Sequence, residues 1–162
     1  GTVMQARCPA RMELVSSDEY LDKKHISVRC HLGTLEPQSV GCKYKRCNIP
    51  HVENGYFKNN EFEMRPGDRI HSSSNITLIC AKGYELYNEK MYMYLELEHT
   101  DVQCLHGSFT AEIPKCRPKR CNLPKIDNGH LRNGTMIFHP GEKIGSEEKV
   151  LLECFEGFEL HN

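Results

Sequence analysis

The chain has 162 residues, 38% of them hydrophobic, with nine cysteines, no tryptophan and a formal net charge of −1. It holds no run of about 18 apolar residues, which excludes a helical membrane span. Cysteine at this density belongs outside the reducing cytosol.

Taken in chain order, residues 1–42 carry Cys8-Pro-Ala-Arg11-Met12-Glu13-Leu14, then Cys30-His-Leu-Gly33, then Cys42. Lys43-Tyr44-Lys45-Arg46 follows as a basic connector. Residues 47–116 begin with Cys47-Asn-Ile-Pro50 and the turn pairs Asn54-Gly55 and Pro66-Gly67. The β-prone run Ile76-Thr-Leu-Ile-Cys80 leads into Gly83-Tyr84-Glu85-Leu86, Cys104-Leu-His-Gly107 and Cys116. After a second basic connector, Arg117-Pro118-Lys119-Arg120, the opening returns as Cys121-Asn-Leu-Pro124, Asn128-Gly129, Pro140-Gly141, Val150-Leu-Leu-Glu-Cys154 and Gly157-Phe158-Glu159-Leu160. Repetition of cysteines, turns and apolar positions marks copies of one structural unit. The chain therefore parses as the back part of one unit (1–42), a linker (43–46), a whole unit (47–116), a linker (117–120) and the front part of another (121–162).

A unit of this size buries too little apolar surface to fold comfortably without cross-links. Four cysteines in the whole unit allow three pairings, and spacing does not choose among them. A zinc reading of Cys42-x4-Cys47 and Cys116-x4-Cys121 is disfavoured, because the second cysteine of each pair opens a new repeat and the nine histidines fall at unmatched positions. No metal or other cofactor is expected.

Short strands separated by turns are predicted throughout, with no helical periodicity. In Met91–Glu98 the alternation places Met91, Met93, Leu95 and Leu97 on a face expected to be buried, with Tyr92 and Tyr94 opposite as possible partner contacts. Ordinary strand propensity explains the same tyrosines without a partner.

Together the Cys-x-x-Pro opening, the Asn-Gly turn, the β-run into a second cysteine with Gly-(Tyr/Phe)-x-Leu, the third cysteine followed by glycine, and the four-residue connectors resemble the complement control protein, or sushi, module. The resemblance covers practically the whole chain. It implies an all-β fold of small disulfide-rich modules strung end to end. It also implies that the first cysteine pairs with the third and the second with the fourth, giving Cys8–Cys42, Cys47–Cys104 and Cys80–Cys116. Cys30, Cys121 and Cys154 then have their partners in sequence outside this chain. In the chain-entropy account, each closure in the whole module is worth about 4 kcal/mol. The family's usual tryptophan after the third cysteine is replaced by Phe109 and Leu35, and the stretches 8–30 and 80–104 are longer than usual. These departures mark a divergent member, with apolar groups still filling the tryptophan site.

No Gly-x-Ser-x-Gly elbow, His-Glu-x-x-His or phosphate-binding glycine loop is present, so no enzyme is expected. Asn75-Ile-Thr77 and Asn133-Gly-Thr135 are glycosylation sequons. Acids outnumber bases in 47–116 and 121–162 while each connector carries three bases and no acid. Lys43, Lys45, Arg46, Arg117, Lys119 and Arg120 thus admit three readings: solubility, contact with an acidic partner or sulfated glycan, or convertase processing.

The expected role is non-enzymatic recognition of other proteins outside the cell or at its surface, as a scaffold that clusters a membrane receptor. The alternatives are a regulator that binds activated complement fragments and the non-catalytic arm of a secreted protease. Neither nucleic acid nor direct membrane insertion is expected.

Overall fold

The computed structural model describes residues 2–161 and is all-β, with no helix among them. No helix there is long and apolar enough to cross a membrane. Strand pairing divides the chain into three successive segments.

The first holds β1 (Val3–Arg7), β2 (Met12–Ser16), β3 (Glu19–Tyr20), β4 (His25–His31), β5 (Thr34–Glu36) and β6 (Val40–Tyr44), in sheets ordered β1-β4-β5 and β3-β2-β6. The central segment holds β7 (Cys47–Asn48), β8 (Gly55–Asn59), β9 (Phe62–Met64), β10 (Arg69–Ile70), β11 (Asn75–Cys80), β12 (Tyr84–Asn88), β13 (Met93–Tyr94), β14 (His99–Leu105), β15 (Ser108–Phe109) and β16 (Lys115–Pro118). Its main sheet runs β15-β14-β11-β8-β9, flanked by β13-β12-β16 and the short pair β10-β7. The last segment holds β17 (Cys121–Asn122), β18 (Gly129–Asn133), β19 (Met136–Phe138), β20 (Lys143–Ile144) and β21 (Leu151–Cys154), ordered β17-β20 and β19-β18-β21.

The sequence repeat is thus visible in the sheets. The order β5-β4-β1 matches the β15-β14-β11 side of the central sheet, and β19-β18-β21 matches its β9-β8-β11 side. Alternation in Asn75–Cys80 buries Ile76, Leu78 and Cys80 on one face, as a half-buried strand requires. These residues meet Phe57, Ile70, Leu86 and Val102 around Cys47, Ile49, Cys104 and Cys116. Four of the six disulfide-bonded cysteines therefore lie inside the apolar core.

The Asn-Gly pairs work in an unexpected way. Asn54 and Asn128 take the left-handed conformation at φ 57° and 58°, and each following glycine is required by close packing. A Cβ on Gly55 would lie 2.7 Å from Cys116 Sγ, and one on Gly129 would lie 2.7 Å from the Glu153 carbonyl oxygen. Any side chain there forces strands or sulfur apart.

Two expectations differ from the structure. Residues 91–98 do not form one strand, because Tyr92 (φ 51°) and Glu96 (φ 57°) turn the backbone left-handed and break the alternation: Met93–Tyr94 is the strand here, and Leu95 and Leu97 still bond the Leu86 backbone. Met91, Met93 and Leu97 are consequently exposed, and Leu95 alone of the predicted face packs against the core. At the tryptophan position, Phe109 packs on the core opposite Cys104, whereas Leu35, opposite Cys30, stays 49% exposed.

Candidate functional site

The chemistry concentrates at the two junctions. Each four-residue connector is half strand, since Lys43 and Tyr44 complete β6 while Arg117 and Pro118 complete β16. Only Lys45–Arg46 and Lys119–Arg120 lie between sheets. Antiparallel pairing with β2 sets Glu13 opposite Lys43, and pairing with β12 sets Glu85 opposite Arg117, so each acid stands beside the start of the connector.

At the first junction, Glu13 Oε2 accepts hydrogen bonds from the Arg46 backbone N–H (2.7 Å) and Nε (3.2 Å), while Nη2 donates to Glu13 Oε1 at 3.1 Å and to Asp22 Oδ1 at 2.8 Å. The guanidinium carbon sits 3.7 Å from the Tyr20 ring centroid. Arg69, from β10 of the central segment, donates across the junction to Asp22. Charge-assisted, forked contacts of this kind are stronger than neutral ones. Burial pushes the Glu13 carboxyl up, but hydrogen bonds from Arg46 and the charges of Arg46 and Arg69 outweigh it and hold the group below its ordinary value. The Asp22 carboxyl is likewise lowered, first by its hydrogen bond from Arg69.

The second junction repeats the plan. Arg120 Nε donates to Glu85 Oε1 at 2.8 Å, its guanidinium carbon lies 3.8 Å from the Tyr94 centroid, and Lys143 of β20 reaches Glu96 at 3.2 Å. Lys119 pairs with Glu98. Tyr20 and Tyr94, Asp22 and Glu96, Arg46 and Arg120, and Arg69 and Lys143 are each 74 residues apart. Glu13 and Glu85 are 72 apart, reflecting a two-residue difference in the β12–β13 hairpin. Reading the repeat for charge as well as for cysteine and glycine would have found this clasp; Glu13, Glu85, Asp22, Glu96, Tyr20, Arg69 and Lys143 went unnoticed because each looks like an ordinary surface residue.

The connector cations are therefore mostly engaged within the chain. Arg46 and Arg120 are largely buried in clasps, Lys43 pairs with Asp18 at 2.9 Å, Lys119 pairs with Glu98, and Arg117 covers the Tyr87 ring at 3.7 Å. Lys45 has no ionic partner among the described residues, nor do the neighbouring Lys23 and Lys24; all three line a cleft beside Glu13, Asp22 and Arg69.

Tyr92 and Tyr94 do not share a face in the way alternation suggests. Tyr94 is half-buried, edge-on to Tyr87 at 4.9 Å and beneath Arg120. Tyr92 is 83% exposed at a hairpin tip with Met91 (64%) and Met93 (45%). Asn88 Oδ1 accepts from the Met91 N–H at 3.0 Å and shapes that tip. The corresponding first-segment tip is Ser17-Asp18-Glu19, entirely polar.

Disulfides join Cys8 to Cys42, Cys47 to Cys104 and Cys80 to Cys116, with Cα separations of 5.7, 5.8 and 5.5 Å. Sulfurs so bonded offer no thiolate to zinc. Cys30 and Cys121 are exposed free thiols and Cys154 is half-buried. Asn75 opens β11 and Asn133 closes β18 at a turn, both exposed; Thr77 Oγ1 donates to Asp101 at 2.6 Å.

No family model matches the chain. Among known proteins it is 25% identical, over 97% of its own length, to the sushi, von Willebrand factor type A, EGF and pentraxin domain-containing protein 1 of Mus musculus. It is 23% identical, over 74% of its length, to the complement control protein of Human herpesvirus 8 type P (isolate GK18). These alignments join an all-β array whose disulfides interleave. The chain is thus similar, at low identity, to sushi-domain and complement control proteins. It spans 4% of the mouse protein and 18% of the viral one.

Proposed function

We propose that the chain is part of a non-enzymatic, secreted or cell-surface sushi protein in which 47–116 is a complete module, 1–42 and 121–162 are parts of two others, and 43–46 and 117–120 are linkers. Cys30, Cys121 and Cys154 stand at the repeat positions of Cys104, Cys47 and Cys80, which supports partners for them in further modules. Its work is scaffolding: a stiff array presents one apolar tip to an extracellular protein, with a clustered membrane receptor as the partner. The observation that carries this reading is Met91-Tyr92-Met93, three large side chains projecting from a disulfide-held module. Exposed aromatic and thioether groups on a pre-ordered support bind with little further loss of entropy. Asn75 and Asn133, both exposed, are proposed to carry glycans.

Tyr92→Asn combined with Met91→Ser tests the reading, because asparagine accepts the left-handed backbone at position 92. Stability is expected to change by less than about 0.5 kcal/mol. Crosslinking on intact cells followed by mass spectrometry is expected to recover a membrane receptor with the natural chain and to lose it with the variant. Recovery of activated complement fragments instead would favour the regulator reading, which the similarity to a viral complement control protein supports. A protease catalytic domain encoded in the same reading frame would favour the protease-arm reading.

A second reading rests on Lys23, Lys24 and Lys45, whose charges have no ionic partner at the first junction. The positions equivalent to Lys23 and Lys24 are Leu97 and Glu98, so the clasp itself does not require these lysines. We infer contact with a sulfated glycan there. Replacing Lys23 by leucine and Lys24 by glutamate is expected to lower the salt concentration at which the chain leaves a heparin column, while unaltered elution would leave solubility as their role.

A further inference from the structure

The two junctions share a clasp and differ in what surrounds it. At the first, the Tyr20 hydroxyl meets His71 Nδ1 at 3.2 Å, with the rings 5.8 Å apart, and Tyr44 stacks on His106 at 3.8 Å and 15°. Lys45 closes the same seam: its Cβ lies 2.9 Å from where a Cβ on Gly107 would stand, so only glycine admits that approach. Each of these contacts links the first connector or segment to the central one.

At the second junction the repeat positions of His71 and Tyr44 carry other residues, while those of His106 and Gly107 fall beyond residue 162. Gly145 occupies the position equivalent to His71, which leaves Tyr94 without a ring of the last segment to meet, and Pro118 occupies that of Tyr44. The forked Arg69 is replaced by Lys143, a single point charge. Arg46 Nη2 is bonded to both Glu13 and Asp22, whereas Arg120 Nη2 is buried without a hydrogen-bond partner among the described residues and lies 4.0 Å from Glu96 Oε1. Among the described residues the ion pair that crosses this seam joins Lys143 to Glu96, whose side chain is 67% exposed.

Exposed ion pairs contribute little and are screened by salt, while ring stacking and side-chain packing are not. We propose that the first junction is a salt-resistant fixed joint and the second a salt-sensitive hinge, so that residues 3–118 move as one body and the last segment turns about Lys119–Arg120. The array therefore has graded stiffness, encoded by His71 and Tyr44 against Gly145 and Pro118. The hairpin bearing the Met91-Tyr92-Met93 tip also bears Tyr94 and Glu96, which sets the tip directly on the hinge.

Residual dipolar couplings of the full chain, measured at low salt and at about 1 M salt where the Debye length is about 3 Å, test this directly. The first and central segments are expected to share one alignment at both salt concentrations. Alignment of the last segment relative to the central one is expected to fall by about half at high salt as its exposed pair is screened. A last segment that remains locked at 1 M salt, or a first segment that loosens equally, would overturn the proposal. Gly145→His supplies the missing ring and has room for it, since a Cβ there meets only Glu148 Oε2 at 3.5 Å. It is expected to restore part of the lost alignment at high salt; no restoration would overturn the assignment of stiffness to the ring contacts.

Discussion

Replacing Cys47 and Cys104 together by serine is expected to lower the unfolding midpoint of the central segment by about 20 °C, enough to leave much of it unfolded at physiological temperature. The bridge spans 57 residues, so cutting it returns roughly 4 kcal/mol of chain entropy to the unfolded state. Small domains have total stabilities of about 5–15 kcal/mol, and this core has few large side chains to offset the loss: beside its cysteines the buried cluster holds Ile49, Phe57, Ile70, Ile76, Leu78, Leu86 and Val102. Serine hydroxyls at these positions add a second penalty, since both cysteines are about as buried as residues can be. Calorimetry of the oxidised variant against the natural chain reads the shift. A midpoint within a few degrees of the natural one would mean that the apolar core suffices and that sulfur is secondary.

The next largest effect is expected at the second clasp. Arg120→Ala leaves the Glu85 carboxylate, whose side chain is 4% exposed, with no cation and only a long 3.4 Å hydrogen bond from the backbone N–H of position 120. Stranding a buried charge costs about 3–5 kcal/mol when it is fully enclosed, and partial access of water through the space left by the guanidinium reduces this to about 2–4 kcal/mol. Glu85→Ala is expected to cost less, about 1–2 kcal/mol, because Arg120 is 20% exposed, stays over the Tyr94 ring and has Glu96 near. Urea unfolding followed by a reporter in the central segment separates the two. Equal losses, or a larger loss for Glu85→Ala, would show that the guanidinium and not the carboxylate is the group that the fold encloses. Arg120→Lys should fall between, since a point charge can replace the Coulombic attraction but not the stacking on Tyr94.

The fold was legible because its determinants are local and repeated. Alternation in Asn75–Cys80 matches the burial pattern residue for residue, and the cysteine, glycine and proline positions bound nearly every turn. Reading failed where one backbone dihedral outweighs a side-chain pattern. Met91–Glu98 alternates as cleanly as any strand in the chain, yet left-handed residues at 92 and 96 send its apolar groups outward. Asp18 and Asp22 adopt the same conformation in the first segment (φ 65° and 53°). That shared geometry belongs to the hairpin and is set by its packing, so the residue types at 92 and 96 carry no sign of it.

From residue order alone came the repeat, the all-β class, the need for cross-links and the concentration of positive charge at the connectors. Which cations are free was decided only in three dimensions, because an ion pair joins residues that are strangers in sequence: Arg46 meets Glu13 33 positions back, and Arg120 meets Glu85 35 positions back. The connectors read as patches open to a partner, and the tertiary structure turns their arginines inward as latches. Strand pairing brings each acid alongside a connector, and burial then makes the charge of one residue the business of the other.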